Sequence, residues 1–398
     1  MSAMTRTGQQ ARSRATTTVR LPKRGRDRTD VSILLTAGAL LVIGLIMSLS
    51  ASSVVSAEST GSAFTFFISQ FAWAALGTAA LVIGWRVDYR RLKGLSYAAM
   101  PVVWALLFLT LIPSIGSTAG GARRWITFGP ISIQSSEIAK LALIMFGADV
   151  LARKLGRLND WRHIAVPFFA AAGLTSMLIL LEPDFGTMLI IAASSLCLAY
   201  LAGADLRALG AMTAVAGLIA VPVMLGAGYR RERLFSYLSG GTDCLNAAYQ
   251  TCQGLLALGS GGLFGLGLGS SRQKYLFLPH PQTDFIFAII GEETGLVGAL
   301  TVLMLFALLL ILGIRAARRA QDPFGFLIAS GVITWISLQT LINIGAVAGV
   351  LPITGVPLPL ISKGGTSLLV SLAGLGLVAS VARCGSVRRR SSDGVRAE

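Results

Sequence analysis

An aspartate stands directly before a long apolar run, and two glutamates lie inside that run. The residues are Asp284, Glu292 and Glu293, in the stretch Leu-Pro-His-Pro-Gln-Thr-Asp-Phe-Ile-Phe-Ala-Ile-Ile-Gly-Glu-Glu-Thr-Gly at 278–295. A carboxylate can serve as a general base when its surroundings keep its pKa suited to the pH at which the enzyme works. Taken alone, however, an aspartate before an apolar run favours a helix N-cap, and Thr283 is an equal candidate for that position.

Other ionisable residues border apolar runs elsewhere in the chain. They are Glu137, Lys140, Glu182, Asp184, Arg123, Arg124, Arg231, Arg233, Arg272 and Lys274. Charged groups inside or beside a membrane are costly, so they indicate a functional site by default. Acidic and basic groups gathered on one face would suit a site that binds an anionic lipid-linked substrate and moves a proton.

The composition places these residues in a membrane protein. Hydrophobic residues make up 54% of the 398 positions and charged residues only 13%, and the mean hydropathy is +0.71. Since a bilayer core takes roughly 20 apolar residues per helix, the sequence predicts an all-α polytopic membrane protein with ten transmembrane helices. The predicted spans are 31–54, 64–85, 95–115, 137–153, 164–182, 185–203, 209–228, 294–315, 325–349 and 366–383.

Basic residues in the loops predict the orientation. The N-terminal tail, the loops around 86–93, 153–162, 207 and 315–319, and the end at 388–390 are all rich in Arg or Lys. Because Lys and Arg are retained in short cytoplasmic loops, these six segments predict one cytoplasmic face that carries both termini. The net charge of +16 then reflects topology and attraction to anionic lipids rather than nucleic-acid binding.

The opposite face receives one long connection, 229–293, between the seventh and eighth spans. It is rich in glycine at 259–274 but has neither a dinucleotide fingerprint nor a P-loop. It also holds Cys244 and Cys252, which an oxidising outer environment would permit to form a disulfide. The organisation is therefore a basic tail at 1–30, expected to be disordered, a membrane domain at 31–383 that includes this outer loop, and a cytoplasmic tail at 384–398.

The opening stretch does not fit one continuous span. A helix from Asp284 to Arg315 would be about 48 Å long at 1.5 Å per residue, well beyond the hydrocarbon thickness. The run 296–314 is long enough to cross alone. We therefore expect a short apolar segment at 285–291 in the interface or re-entering the protein, with Glu292 and Glu293 at the outer end of the true span.

Seven motifs in order resemble the SEDS family (shape, elongation, division and sporulation). They are Gly121-Ala-Arg-Arg-Trp-Ile126, Gln134-Ser-Ser-Glu-Ile-Ala-Lys140, Glu182-Pro-Asp-Phe-Gly-Thr187, Tyr249-Gln250, Gly269-Ser-Ser-Arg-Gln-Lys274, the stretch 278–295, and Leu358-Pro-Leu-Ile-Ser-Lys-Gly-Gly-Thr-Ser367. The resemblance covers residues 31 to 383. Ile290-Gly-Glu-Glu293 and the pattern around Gln250 resemble the cell-division member most, whereas Gly355-Val-Pro-Leu-Pro359 is closer to the elongation member.

The resemblance implies a peptidoglycan glycosyltransferase that polymerises lipid II outside the cytoplasmic membrane. Asp284 matches the family's proposed catalytic aspartate, which would take the proton from the acceptor hydroxyl as that oxygen attacks the anomeric carbon. A lipid II flippase is the rival function, and the elongation polymerase is the alternative within the family. A scaffold that only recruits division proteins would explain the basic tails but not the outer carboxylates.

Positive charge should meet the pyrophosphate leaving group. The candidate substrate-binding residues are Arg123, Arg124, Lys140, Arg231, Arg233, Lys274 and Gln250. Arg123 and Arg124 could equally anchor to lipid headgroups beside Trp125, and Lys140 is expected to pair with Glu137, Glu182 or Asp184. The sequence identifies no cofactor with certainty, and a divalent cation, magnesium or manganese, could assist the leaving group.

The remaining polar residues are predicted to support the site. They are Glu137, Glu182, Asp184, Glu292, Glu293, Ser362 and Lys363, with structural or metal-supporting roles for the carboxylates. Where the family has Ser-Tyr-Gly-Gly, this chain has Ser362-Lys363-Gly364-Gly365. Lys363 is therefore expected to snorkel towards water, or alternatively to contact the pyrophosphate.

The resemblance also implies partners and a location. The expected partners are lipid II, a class B penicillin-binding protein with transpeptidase activity, other divisome proteins and anionic lipids, without nucleic acid. The expected location is the bacterial cytoplasmic membrane at the division septum.

Overall fold

The fold is mostly helical, with one small sheet. The computed structural model describes residues 28–119, 122–129, 131–154, 161–226, 248–275, 277–279 and 281–395, and the single residues 228, 231, 235, 237 and 244. In this part the helices are α1 Thr29–Thr60, α2 Thr65–Arg86, α3 Leu95–Leu111, α4 Ser135–Lys154, α5 Trp161–Leu181, α6 Phe185–Leu201, α7 Leu206–Gly226, α8 Tyr249–Ser260, α9 Ile286–Arg318, α10 Pro323–Val347 and α11 Gly365–Val395.

Each of the ten predicted spans falls on one of these helices. Five are long and apolar enough to cross a membrane by length and composition: α1, α2, α9, α10 and the part Gly365–Gly385 of α11. Shorter apolar helices lie at Leu95–Leu111, Val166–Leu181, Phe185–Leu201 and Leu209–Leu218. The prediction of an all-α polytopic membrane protein is confirmed.

The predicted cytoplasmic segments meet at one end of the bundle. The Arg90 guanidinium donates to Gln321 at 2.5 Å, and Lys93 forms an ion pair with Asp322 at 2.9 Å. Arg319 donates to the Thr29 hydroxyl at the start of α1. The loop before α3, the loop before α10 and the beginning of α1 therefore share one face, as the distribution of basic residues predicts.

A small sheet and a short helix, on the face opposite the basic loops, were not predicted from the sequence. Strands β1 Gly116–Ala119, β2 Ala122–Phe128 and β3 Ile131–Gln134 form an antiparallel sheet in the order β1-β2-β3 between α3 and α4. The helix α8 lies inside the predicted outer loop. The alternation in Arg-Trp-Ile-Thr-Phe is typical of a strand, but the strands are short enough to be read as a loop.

Helices α10 and α11 lie at the centre of the bundle. Their most apolar windows are 61% and 83% buried, against 22% for α2. Trp335 on α10 is completely buried. The loop at 348–364, which joins these two central helices, is therefore held from both sides, and it forms one wall of the site described below.

The helix α9 is broken at Gly295, which has φ 68° and ψ −165°. The expected separation of a short segment from the true span is confirmed, but its position was wrong. The short segment runs to Thr294, so Glu292 and Glu293 belong to it and do not begin the span. Both side chains are buried and bonded to the preceding loop, which is why the segment can hold two glutamates before the chain turns.

Replacing Gly295 by alanine should destabilise the protein. An added Cβ would lie 2.4 Å from the Gly265 nitrogen and 2.5 Å from the Leu263 oxygen, in a backbone region that only glycine readily adopts. We expect a loss of about 2–3 kcal/mol and a lower thermal unfolding midpoint in detergent. Gly38→Ala is the control, since nothing lies within 4 Å of its added Cβ. Equal midpoints for both variants would contradict this account of the break.

Candidate active site

Asp284 lies in the turn immediately before α9. The N-cap position belongs to Phe285, and the helix begins at Ile286. The interpretation of Asp284 or Thr283 as the N-cap residue is therefore wrong. Asp284 is partly exposed, whereas Phe285 and Ile286 are buried, so the buried start of the helix fixes the aspartate at the rim of the protein interior.

The backbone around Asp284 is fixed by side chains from two neighbouring elements. The Asn343 amide on α10 donates to the carbonyls of Asp284 at 2.9 Å and Val356 at 2.8 Å. The Ser362 hydroxyl donates to the Thr283 carbonyl at 2.6 Å. These bonds fix the main chain of the turn that carries the Asp284 carboxylate.

The loop at 348–364 also contacts this turn through its own backbone. The Lys363 N–H donates to the Gln282 carbonyl at 2.9 Å, and the Leu358 N–H donates to the Ser362 hydroxyl at 2.8 Å. A Cβ added to Gly355, which has φ +72°, would lie 3.6 Å from Oδ2 of Asp284. The motif at 358–367 and the stretch 278–295, which are 63 positions apart at their nearest ends, therefore build one structure.

A buried ion pair on α4 supports the loop at 348–364 from inside the protein. Lys140 and Glu137 on α4 are 2.8 Å apart, and each side chain is only 1% exposed. The Lys140 ammonium also donates to Gln339 Oε1 at 2.8 Å, and the Gln339 amide donates to the Pro357 carbonyl at 2.9 Å. Of the three carboxylates expected as partners of Lys140, Glu137 is the one it contacts. Lys140 thus lies behind the loop at 348–364, with its charge already paired.

The sheet places Arg124 against the turn between α5 and α6. Its guanidinium donates to the carbonyls of Glu182 and Pro183 and lies 3.9 Å from Asp184 Oδ1. Asp184 caps α6 by accepting from the Thr187 N–H at 3.1 Å and the Thr187 hydroxyl at 2.9 Å. Arg124 and Asp184 therefore hold this turn to the sheet.

Glu182 in the same turn has no exposed surface. It accepts from the Ser135 hydroxyl at 3.2 Å. Arg123, the neighbour of Arg124, donates from its guanidinium to the Leu111 carbonyl at 3.2 Å.

Glu292 and Glu293 anchor the loop that precedes the aspartate motif. Glu292 accepts from the Ser271 hydroxyl at 2.5 Å. Glu293 accepts from the Ser50 hydroxyl of α1 at 2.6 Å and pairs with Lys274 at 3.4 Å. Lys274 is itself only 3% exposed. This cluster joins α1, α9 and the loop that contains Ser271 and Lys274. In it the Lys274 ammonium is paired with the Glu293 carboxylate.

The remaining candidates lie around the outer loop. Arg231 is exposed, Gln250 is half-buried on α8, and Arg233 lies outside the described residues. Cys244 and Cys252 are joined by a disulfide, with their Cα atoms 5.6 Å apart. The bridge fixes Cys244 to α8, two positions along the chain from Gln250.

Exposure separates Asp284 from the other predicted carboxylates. Glu137, Glu182, Asp184, Glu292 and Glu293 are each 3% exposed or less. Each of these five accepts a hydrogen bond from a neighbouring residue within the protein, as described above. Asp284, in contrast, is partly exposed, so an incoming hydroxyl could reach its carboxylate.

Two buried amides that support the site were missed in the sequence. Gln339 and Asn343 lie one turn apart on α10, and both are 3% exposed or less. Polar residues in an apolar span point towards the bundle interior, and their i, i+4 spacing places them on one face. That signal was available, but the groups they bind are backbone carbonyls of a distant loop, which a single sequence does not reveal.

Lys363 adds a cation beside this turn. Its ammonium lies 3.0 Å from the centroid of the Phe66 ring. Burial lowers the pKa of the Lys363 ammonium from its ordinary 10.5 to about 8. Since the half-buried charge lies over an aromatic face rather than in open water, Lys363 is held at the rim of the site.

Replacing Lys363 by methionine should therefore stabilise the protein in a pH-dependent way. Between about pH 8 and 10.4 the unfolded chain binds more protons at this position than the folded chain, so wild-type stability rises with pH there. The variant lacks this dependence. We expect its thermal midpoint to exceed that of wild type at pH 7, with the difference shrinking by pH 10. A constant difference at both pH values would contradict the lowered pKa.

The described residues hold no group of three or more His, Cys, Asp or Glu side chains placed to bind a metal ion. A magnesium ion can be held by one or two carboxylates when substrate phosphates supply the other ligands. We assign no step to a divalent cation.

Comparison with known proteins identifies the family. A family model described as "Cell cycle protein", covering FtsW, RodA and SpoVE, matches residues 31–386. The chain is 40% identical over 358 residues to the stage V sporulation protein E of Bacillus subtilis, covering 89% of this chain and 97% of that protein. It is 37% identical over 355 residues to a probable peptidoglycan glycosyltransferase FtsW of Geobacter metallireducens, covering 89% and 95%.

Solved structures share the fold. One comes from work on the structural coordination of polymerization and crosslinking by a peptidoglycan synthase complex, with a TM-score of 0.72, 28% identity, and coverage of 89% of this chain and 97% of that one. The rod shape determining protein RodA of Thermus thermophilus gives a TM-score of 0.64 and 29% identity, with coverage of 88% and 95%. With ten helices on the predicted spans and a family match over nearly the whole length, this chain belongs to the FtsW, RodA and SpoVE family of cell cycle proteins.

Proposed function

We propose that the protein is a peptidoglycan glycosyltransferase that polymerises lipid II into glycan strands on the outer side of the cytoplasmic membrane. The observation that carries the proposal is the partly exposed Asp284 carboxylate on a turn whose main chain is fixed by Asn343 and Ser362. A fixed, accessible carboxylate suits a general base. The names of the similar FtsW proteins support the same activity.

The reaction needs one proton acceptor and one leaving group. The hydroxyl oxygen of the acceptor sugar attacks the anomeric carbon of the donor, and Asp284 accepts the hydroxyl proton. The bond between that carbon and the pyrophosphate oxygen breaks, and the pyrophosphate leaves with the electron pair. Because the lipid pyrophosphate is already an activated donor, the absence of a nucleotide-binding motif from the sequence is consistent with this reaction.

The basic side chains divide into two groups, one buried against carboxylates and one exposed or partly exposed. Lys140 and Lys274 are buried against Glu137 and Glu293, so they suit a structural role. Arg231 is exposed, while Arg123 and Lys363 are partly exposed. The latter group is better placed to meet the negative charge that develops on the pyrophosphate.

The natural partner in this proposal is a class B penicillin-binding protein, a transpeptidase that crosslinks the strands as they are made. The similar structure from a complex of polymerization and crosslinking supports such a partner. The FtsW and stage V sporulation relatives support a site of action at a septum. The division septum is our proposal for this chain.

The test is polymerisation of purified lipid II by the full chain together with its cognate transpeptidase. Glycan strands longer than the disaccharide unit should accumulate, and they should persist when the transpeptidase active-site serine is replaced. The same preparation, reconstituted in vesicles, would be assayed for movement of fluorescent lipid II between leaflets. Movement without polymer would reject the polymerase and favour the flippase.

A further inference from the structure

The glycine-rich segment 261–269, here called the glycine loop, carries apolar side chains that point away from the protein. Leu263, Phe264, Leu266 and Leu268 are 61%, 81%, 38% and 64% exposed. A cluster of this kind on an outer loop would be unfavourable in water, because buried apolar area contributes roughly 25 cal/mol per Å². Exposed apolar clusters mark contact with a membrane or a partner.

The backbone of the glycine loop completes the broken helix α9. The N–H groups of Leu296 and Val297 donate to the carbonyls of Gly262 at 2.9 Å and Leu263 at 3.2 Å. In the other direction, the N–H groups of Leu266 and Gly267 donate to the carbonyls of Glu292 and Glu293, both at 3.0 Å. These bonds satisfy polar groups that the break would otherwise leave open, as irregular backbone at membrane depth requires.

These bonds also set the depth of the loop. Leu296 and Arg315 are 19 residues apart on one helix, about 28 Å at 1.5 Å per residue, which matches the bilayer hydrocarbon core. With Arg315 at the inner interface, Leu296 lies at the outer boundary of that core. The glycine loop is bonded to Leu296 and Val297, so its apolar tips lie at the same depth.

The exposed side chains of the loop continue the lipid-facing surface of α9. Leu296, Val297 and Leu300 are 49%, 53% and 48% exposed, and they belong to the most hydropathic of the five long spans. The exposed Arg272 follows the loop, where its charge can reach the lipid headgroups. Apolar tips with a neighbouring cation are typical of segments that lie in the membrane interface.

We propose that the glycine loop is inserted in the outer leaflet, with Leu263, Phe264, Leu266 and Leu268 in contact with acyl chains of the bilayer. The loop then anchors the part of α9 that carries Glu292 and Glu293 to the membrane. Because the turn with Asp284 directly precedes this part of α9, the loop anchors that turn as well. This proposal does not depend on the enzymatic activity.

Spin labels in the full chain, reconstituted in lipid vesicles, test the depth. The free cysteines Cys197 and Cys384 would be replaced by alanine, with the disulfide left intact. A nitroxide would then be attached in Phe264→Cys, with Met304→Cys as the lipid reference and Glu58→Cys as the aqueous reference. Met304 on α9 is 72% exposed, and Glu58 is exposed near the end of α1.

We expect the label at position 264 to collide with oxygen several-fold more often, relative to a water-soluble nickel chelate, than the label at 58, and to approach the ratio at 304. Nickel access at 264 equal to that at 58 would overturn the proposal. Protection from both reagents would overturn it as well, because the loop would then be covered by protein, either a second copy or another part of this chain.

Discussion

Asp284→Asn should abolish glycan polymerisation while leaving the protein folded. General-base catalysis contributes about 10²–10⁴-fold to a rate, so the variant should retain at most about 1% of wild-type polymer synthesis. An asparagine has nearly the same shape but cannot accept the hydroxyl proton at neutral pH. The Asn343 and Ser362 bonds are made to main-chain carbonyls, and the substitution keeps both.

The experiment compares wild type, Asp284→Asn and Glu58→Gln in the same lipid II assay with the cognate transpeptidase. Glu58 is an exposed carboxylate near the end of α1, so the control removes a charge outside the site and should leave polymer synthesis unchanged. Thermal midpoints of the three proteins should agree. Wild-type levels of polymer from Asp284→Asn would remove Asp284 from the reaction.

A second variant separates positioning from chemistry. Asn343→Leu keeps the carboxylate but removes the donor to the Asp284 and Val356 carbonyls. Each buried acceptor left without a donor costs about 1–3 kcal/mol. We expect reduced polymerisation that retains the pH dependence of wild type, because the base itself is unchanged. A change in the pH profile would show that Asn343 acts on the proton transfer directly.

The sequence predicted the features that depend on local hydropathy and charge. All ten predicted spans fall on helices, and five of those helices are long and apolar enough to cross a membrane by length and composition. A break in the apolar run was predicted from length alone, since one helix from Asp284 to Arg315 would be too long for the bilayer, but it was expected before Glu292. Its position at Gly295 depends on close contact with the glycine loop, which lies 30 residues earlier in the chain and is not visible in the span itself.

The partners of the charged residues could not be predicted in the same way. Three carboxylates were open as partners of Lys140, and the contact is with Glu137, three residues earlier on the same helix, where side chains are neighbours. What the sequence did not show is that α4 packs so that both charges are buried. Arg124 binds the carbonyls of Glu182 and Pro183, and it does so because the sheet places it next to the turn between α5 and α6. Several residues selected for their charge prove to hold loops together, because a buried charge requires a partner wherever it lies.

The buried pair of Lys140 and Glu137 provides the second large effect. Removing one member of a buried ion pair costs about 3–5 kcal/mol, because the other charge stays buried without a partner. Lys140→Met should therefore lower the thermal midpoint strongly. It should also reduce polymerisation, since Gln339, whose amide donates to the Pro357 carbonyl, loses one of the two donors to its Oε1 and keeps only Trp335.

The double variant Lys140→Met with Glu137→Leu distinguishes a buried pair from a loss of packing. Without either charge, the penalty for an unpaired carboxylate disappears, and much of the stability should return. Lys93→Met is the matched control, because Lys93 pairs with Asp322 but is 44% exposed, and such surface pairs contribute about 0–1 kcal/mol. A double variant as unstable as the sum of its two single variants would mean that the two charges act independently. The 2.8 Å contact would then contribute nothing to holding the loop behind Asp284.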